Sequence, residues 1–116
     1  MHELSLVESI KDIALHHARA GGGIRVLSIR IAIGDLASYL EEALATYWTE
    51  ISAGSEVAGA RLEFVRISGE LLCLSCLKRF PSKRLDCPCP DCGSEWVKTT
   101  EGAECYVESI EVETSP

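Results

Sequence analysis

Cys73-Leu74-Ser75-Cys76 and, twelve residues further on, Cys89-Pro90-Asp91-Cys92-Gly93-Ser94 decide how this chain is divided. Each Cys-x-x-Cys pair can wrap one side of a tetrahedral ion, and four thiolates satisfy Zn(II). Gly93 allows the tight backbone turn that such a loop needs, and Pro90 stiffens it. Four protein ligands leave no open coordination position, so Cys73, Cys76, Cys89 and Cys92 read as a structural site. A segment of about thirty residues cannot build a sufficient core, and a metal substitutes for one.

Cys87 is the ambiguous thiol. It can replace Cys89, but Cys87 to Cys92 is a poorer spacing, and Cys89 is preferred. Cys105 lies in a strand pattern and reads as a small core residue. Iron in the same cage is the runner-up, because rubredoxins use paired Cys-x-x-Cys with Cys-Pro-x-Cys-Gly in the second loop. The remainder of the chain does not look like a rubredoxin.

Outward from the cysteines the composition changes. Residues 70–103 are poor in long apolar periods and hold five of the six cysteines. They are flanked by two strand patterns, Ala60 to Ile67 and Glu104 to Val112. Both slip in phase: Leu62 and Phe64 share a face, then Val65 and Ile67 the other; Cys105 and Val107 give way to Ile110 and Val112. A β-bulge and burial on both faces each account for this. The last strand returns to the first domain, so residues 70–103 are an insertion in a domain made of 1–69 plus 104–116.

The first 72 residues contain no cysteine. Glu3 to about Arg19 is helical, with Leu6, Val7, Ile10, Ile13, Ala14 and His17 on one face; Gly21-Gly22-Gly23 stops it. Ile24 to Ile33 is a strand, with Leu27, Ile29, Ile31 and Ile33 facing the helices and Val26, Ser28, Arg30 and Ala32 facing away. Gly34 to Ala37 is a turn. Ser38 then reads as an N-cap, with Glu41 completing a capping box. Leu40, Ala43, Leu44, Tyr47, Trp48 and Ile51 form the stripe of a second helix that ends near Ala53. The fold class is α+β: two helices on a three-stranded sheet, with a small zinc-ribbon-like insertion.

Composition narrows the function. With 47% apolar and 25% charged residues over 116 positions, the chain reads as an ordinary soluble domain. The net charge of −7 argues against a nucleic-acid surface over the whole protein. The local exception, Lys78, Arg79, Lys83 and Arg84, reads as a solvated face, with nucleic acid the minority view. No apolar run approaches a bilayer span. Met1 to Ser9 carries two acidic residues and no Lys or Arg, the wrong sign for a secretory signal. The expected location is the cytoplasm, where paired Cys-x-x-Cys favours metal over disulfides.

Met1-His2-Glu3 can chelate a metal. The α-amine, the deprotonated amides that follow it and the His2 imidazole can close fused rings around one ion, and in-plane nitrogens suit Ni(II) or Cu(II). The large His2 side chain is expected to protect Met1 from removal. Glu3 can serve as an axial ligand, orient the imidazole, or simply favour the helix dipole as a first-turn acid. The competing reading of the whole motif is a frayed terminus. His17, on the apolar face, reads as a packed histidine and His16 as an exposed one; both lie on the order of 20 Å along the helix from His2. No Ser-His-Asp grouping, P-loop or Gly-rich phosphate motif occurs in the sequence, and the chain is not read as an enzyme.

Taken in order, Met1-His2-Glu3-Leu4, Ile33-Gly34-Asp35-Leu36, Gly59-Ala60-x-Leu62, Cys73-x-x-Cys76, Cys89-Pro90-x-Cys92-Gly93-Ser94 and Ser109-Ile110-Glu111-Val112 resemble the HypA/HybF family of nickel metallochaperones for nickel–iron hydrogenase maturation. The resemblance covers nearly the whole chain. It implies Ni(II) bound at Met1, His2 and Glu3, with His2 the required side chain, and structural Zn(II) at Cys73, Cys76, Cys89 and Cys92. It also implies delivery to the hydrogenase large subunit with a hydrogenase-maturation GTPase, by a monomer or homodimer, and for some members service to urease. Asp35 departs from the usual Glu, and the zinc region has no histidine, so a nickel ligand from that region must be a carboxylate or a cysteine. The alternative class is a zinc-ribbon interaction or regulatory module without nickel transfer.

Overall fold

The computed structural model describes residues 3–114. They form α1 (Glu3–Ala20), β1 (Gly23–Gly34), α2 (Glu41–Ser52), β2 (Arg61–Ile67), β3 (Glu70–Cys73), β4 (Arg79–Pro81), β5 (Val97–Glu101) and β6 (Cys105–Thr114). The strands make two three-stranded sheets, ordered β2-β1-β6 and β4-β3-β5. The last strand therefore pairs with the first, and the whole second sheet is formed by the chain between β2 and β6. This is an α+β fold with a zinc-ribbon-like unit.

The chain divides into two compact units, one of Met1–Ile31, Ser38–Phe64 and Val107–Pro116, the other of Ala32–Ala37 and Val65–Tyr106. The second takes in more than the cysteine-rich stretch 70–103. It also holds the ends of three strands and the turn after β1, because that turn is bonded into it. Asp35 N–H donates to Ile67 O at 2.9 Å and Leu36 N–H to Gly102 O at 2.8 Å. Leu36 is then buried with Leu71, Cys73, Phe80 and Cys89.

In the first unit, α1 buries Val7, Ile10, Ala14 and Ala18, a row repeating every three or four residues, and packs on α2, which buries Leu44 and Trp48. From β1, Val26, Ile29 and Ile31 are buried. Each such side chain stabilises the fold by roughly 1.5–3 kcal/mol when fully covered. The Trp48 indole N–H donates to Ala60 O at 3.0 Å, so this buried donor is satisfied.

Several local expectations need correction. Ile13 is 41% exposed and His17 is exposed as well. Each sits one residue, about 100° of helix, off the buried row, so the covered stripe is narrower than the apolar one. On α2, Tyr47 is exposed for the same reason, and Leu40 is exposed because it precedes the helix in an extended conformation. Val26 and Ala32 are buried although they alternate away from Ile29 and Ile31. Val26 lies beside the turn after α2, its N–H donating to Glu56 O at 3.0 Å. Ser38 is not the N-cap of α2. The helix begins at Glu41 behind Leu40, whose φ of −99° and ψ of 121° are extended. The bonds that fix Leu36 and Ala37 hold the turn longer than the Ser-x-x-Glu spacing suggests, and Glu41 falls at the first helical position rather than the third.

The phase slip in β6 is a change of exposed face. Cys105 and Val107 are half-buried, Glu108 and Ser109 are both exposed, and Ile110 and Val112 are half-buried again. Two consecutive exposed residues exclude burial on both faces at that point. In β2, Leu62 and Phe64 are half-buried and Val65 is exposed.

Candidate metal centre

β3 is the central strand of its sheet, paired antiparallel with β4 (Leu71↔Phe80, Leu72↔Arg79) and with β5 (Leu72↔Lys98, Cys73↔Val97). It ends on Cys73, whose backbone then turns tightly. Cys73 N–H donates to Lys78 O at 2.8 Å, and Leu77 N–H returns to Cys73 O at 2.8 Å. The second pair repeats this: Cys89 N–H donates to Ser94 O and Gly93 N–H to Cys89 O, both at 2.9 Å. The residue after each second cysteine is left-handed, Leu77 at φ 65° and Gly93 at φ 73°. The two turns are tied together through Ser75 Oγ and Ser94 Oγ, 2.8 Å apart.

This geometry brings the Sγ atoms of Cys73, Cys76, Cys89 and Cys92 within 4.8 Å of one another. Cys73 and Cys92 sulfurs are 3.6 Å apart, as are those of Cys76 and Cys89. A tetrahedron with metal–sulfur bonds of about 2.3 Å has edges of about 3.8 Å, so the cage is of the right size for Zn(II) or for another thiolate-bound ion of that radius. The first cysteine of each pair is buried and the second exposed.

The sulfurs are electrostatically unlike one another. The Cys76 backbone N–H, which points at Cys73 Sγ at 3.4 Å, leads the effects that lower the Cys73 thiol to about 6. The Cys92 N–H does the same for Cys89, which is also lowered. Cys76 is pushed up to about 12: the Lys78 N–H pulls it down, but neighbouring Cys89, burial, and Cys73 and Cys92 outweigh that pull. Cys92 is raised as well; the Ser94 N–H is outweighed by Cys73, burial and Cys89. Four such sulfurs ionise together only when a cation sits among them, which is the chemistry of a metal-thiolate cage.

Cys87 stands outside this group. It is half-buried against the Leu36, Leu71 and Phe80 cluster, its thiol directed at Pro88 O at 3.6 Å. Cys105 is half-buried in β6, and burial raises its pKa. Three of the four basic residues of the stretch are paired: Lys78 with Asp91 at 3.2 Å, Arg79 with Glu70 at 3.2 Å and Arg84 with Asp86 at 3.7 Å. His16 and His17 stack edge-on with ring centres 5.5 Å apart, at the exposed end of α1.

Met1 and His2 lie outside the described residues. Glu3 opens α1 and is 8% exposed, a buried carboxylate in the first turn. It accepts a hydrogen bond from Leu40 N–H at 3.1 Å. Sequence reading missed this pairing, and it missed Leu36 as a core residue of the cysteine unit. No periodicity marks either; both depend on where separate segments meet.

The fold and the cage define a small metal-binding α+β protein with a zinc-ribbon-like unit. Residues 1–112 match the family model described as "Hydrogenase/urease nickel incorporation, metallochaperone, hypA". The hydrogenase maturation factor HypA of Rhodopseudomonas palustris strain BisB5 is 36% identical over 97% of this chain and 100% of its own length. The HypA of Rhizobium leguminosarum bv. viciae is 38% identical over 97% and 99%. The solution structure of the Ni metallochaperone HypA from Helicobacter pylori superposes with a TM-score of 0.71, at 26% identity, over 99% of this chain and 100% of that one. The chain belongs to the HypA family, and by that membership it is a metallochaperone of hydrogenase maturation, not an enzyme.

Proposed function

We propose that this chain binds Ni(II) through Met1, His2 and Glu3 and delivers it to the large subunit of a nickel–iron hydrogenase, and by the same route to urease where one is present. The observation that carries the reading is the match of residues 1–112, which include Met1-His2-Glu3, to a family described as nickel-incorporation metallochaperones. Donors would be the α-amine, backbone amides and the His2 imidazole, a nitrogen-rich set suited to Ni(II). The first compact unit is the nickel domain and residues 70–103 carry the zinc domain, with Cys73, Cys76, Cys89 and Cys92 holding one structural Zn(II). The cage supports this assignment by its size and its closed donor set.

The partners of this reading are a maturation GTPase and the hydrogenase large subunit, in the cytoplasm. Among the described residues no helix is long and apolar enough to cross a membrane. The test is Ni(II) titration of untagged protein, wild type against His2→Ala, with zinc counted separately. Loss of nickel binding at unchanged zinc content is the expected result; equal nickel affinity in both proteins would leave a zinc-ribbon interaction module as the better description.

A further inference from the structure

The sheet β2-β1-β6 has two outer strands, each with one neighbour among the described residues. An edge strand turns part of its N–H and C=O groups outward, open to pairing with another chain unless shortness, charge or a cover blocks it. The two edges differ. β2 has seven residues, and Glu63 on it is paired with both Arg30 and Arg61. β6 has ten residues and carries Glu108 and Glu111, both exposed and neither in an ion pair. The same strand borders a cleft of about 200 Å³ beside α1. Ile13, the residue that leaves the buried row of α1, lines this cleft with Val107, Glu108 and Ile110 of β6. Val107 and Ile110 both reach it because the consecutive exposed residues Glu108 and Ser109 break the alternation of the strand. A helix beside a free strand edge, with an apolar cleft between them, suits an extended peptide. Main-chain hydrogen bonds hold the added strand, and the cleft takes one of its side chains.

We propose that β6 receives an extended basic segment of a partner protein, which adds to the sheet along β6 and sets an apolar side chain into the cleft between α1 and β6. Nickel binding at the N-terminus is not required for it. Charge selects the occupant. Antiparallel pairing of two copies of β6 about Ser109 and Ile110 would set Glu108 against Glu111 twice, and like charges placed opposite one another are destabilising. The acids that block a second copy favour a strand with Lys or Arg at the facing positions. The net charge of −7 draws such a segment in from further away.

The probe is a capped peptide of about eight residues alternating lysine and valine, titrated into the untagged, zinc-loaded full chain and followed by NMR. Shifts and slowed amide exchange are expected in residues 107–114 and at Ile13, with no binding of the matching glutamate–valine peptide. Glu108→Lys and Glu111→Lys should each weaken binding about 3–10-fold. Ile13→Asn, which makes the cleft polar without changing charge, should weaken it about 3–10-fold as well. Glu50→Lys makes the same charge change on the exposed face of α2 and should alter affinity by less than about twofold. All four positions are exposed, and an unchanged melting temperature checks that each variant is folded. Equal weakening by Glu50→Lys would mean attraction to net charge alone and overturns the proposal. Protection that falls on β2, or no binding by either peptide, overturns it too. Protection of β6 that rises with protein concentration and no peptide present gives the edge to a second copy, and overturns the basic partner.

Discussion

Replacing Gly34 with alanine should be among the most damaging single-methyl changes in this chain. A Cβ on Gly34 would overlap the carbonyl group of Gly102 and crowd Ala103 N. The obstacle is backbone, which cannot rotate away as a side-chain tip would. Restoring ordinary contact requires the two segments to part by about 1.5 Å. Two hydrogen bonds join the segments at this crossing, Gly34 N–H to Glu104 O and Leu36 N–H to Gly102 O, both at 2.8 Å. Such a shift takes them beyond hydrogen-bonding range, at about 1 kcal/mol each. Leu36, 6% exposed, would be drawn from the cysteine-unit core, adding roughly 1–2 kcal/mol. The expected loss is about 3–4 kcal/mol, a large part of the roughly 5–15 kcal/mol that holds a small protein together. The control is Gly93→Ala in the same unit. Gly93 has φ 73°, but its Cβ would meet nothing within 4 Å. Its cost is conformational alone, about 1–2 kcal/mol, less some unfolded-state entropy. Urea unfolding of both metal-loaded variants, followed by tryptophan fluorescence, measures the difference. If Gly34→Ala falls within about 1 kcal/mol of Gly93→Ala, the close crossing does not hold the turn in place.

Three further outcomes are expected. Untagged protein should carry about one tightly held zinc per chain, and Cys73→Ala should lose it together with the folded signals of residues 70–103; metal analysis beside NMR checks this, and full zinc with intact folding would sink the cage assignment. The Glu70 carboxyl is held below its ordinary range, first by the Thr100 hydroxyl at 2.7 Å and then by Arg79. A depressed folded value means that its stabilisation is complete above about pH 4.3 and fades as pH falls through the lowered value; carboxyl titration by NMR should show this midpoint, and Thr100→Val should move it upward. Finally, an N-terminal tag or a drop to about pH 6 should release nickel, because binding needs a free amine and neutral imidazole, which ordinarily titrates near pH 6.5. Tagged protein that binds Ni(II) equally well at pH 6 and pH 7.5 would rule out the proposed chelate.

The elements that could be read from sequence are those whose causes are local. α1 and α2 follow from apolar spacing, and the two cysteine turns follow from Cys-x-x-Cys with the residue after it. What could not be read is set by meetings between distant segments. Nothing in Ile33-Gly34-Asp35-Leu36 says that Leu36 packs with Phe80 or that Gly34 lies against Gly102. Ser38 and Glu41 have the spacing of a capping box, yet the hydrogen bonds of Leu36 and Ala37 delay the helix past it. The Glu3 to Leu40 contact has no signature at all in one sequence. Leu77 is the instructive middle case. The repeat of Cys-x-x-Cys places it where the second turn has Gly93, so a left-handed residue was foreseeable there, although Leu is a poor choice for it.

The two proposed metal sets differ in the property that separates a scaffold from a carrier. Cys73, Cys76, Cys89 and Cys92 converge from two turns cross-tied by Ser75 and Ser94, and each of the buried pair receives backbone N–H groups that favour the thiolate. Releasing an ion from that cage leaves four coupled sulfurs that cannot all stay anionic, so loss of metal is opposed by the protein's own electrostatics and by the fold that the metal organises. The proposed nickel donors are amine, amide and imidazole nitrogens at one end of the chain. Protons compete for such donors near neutral pH, so an ion held by them is the more readily given up.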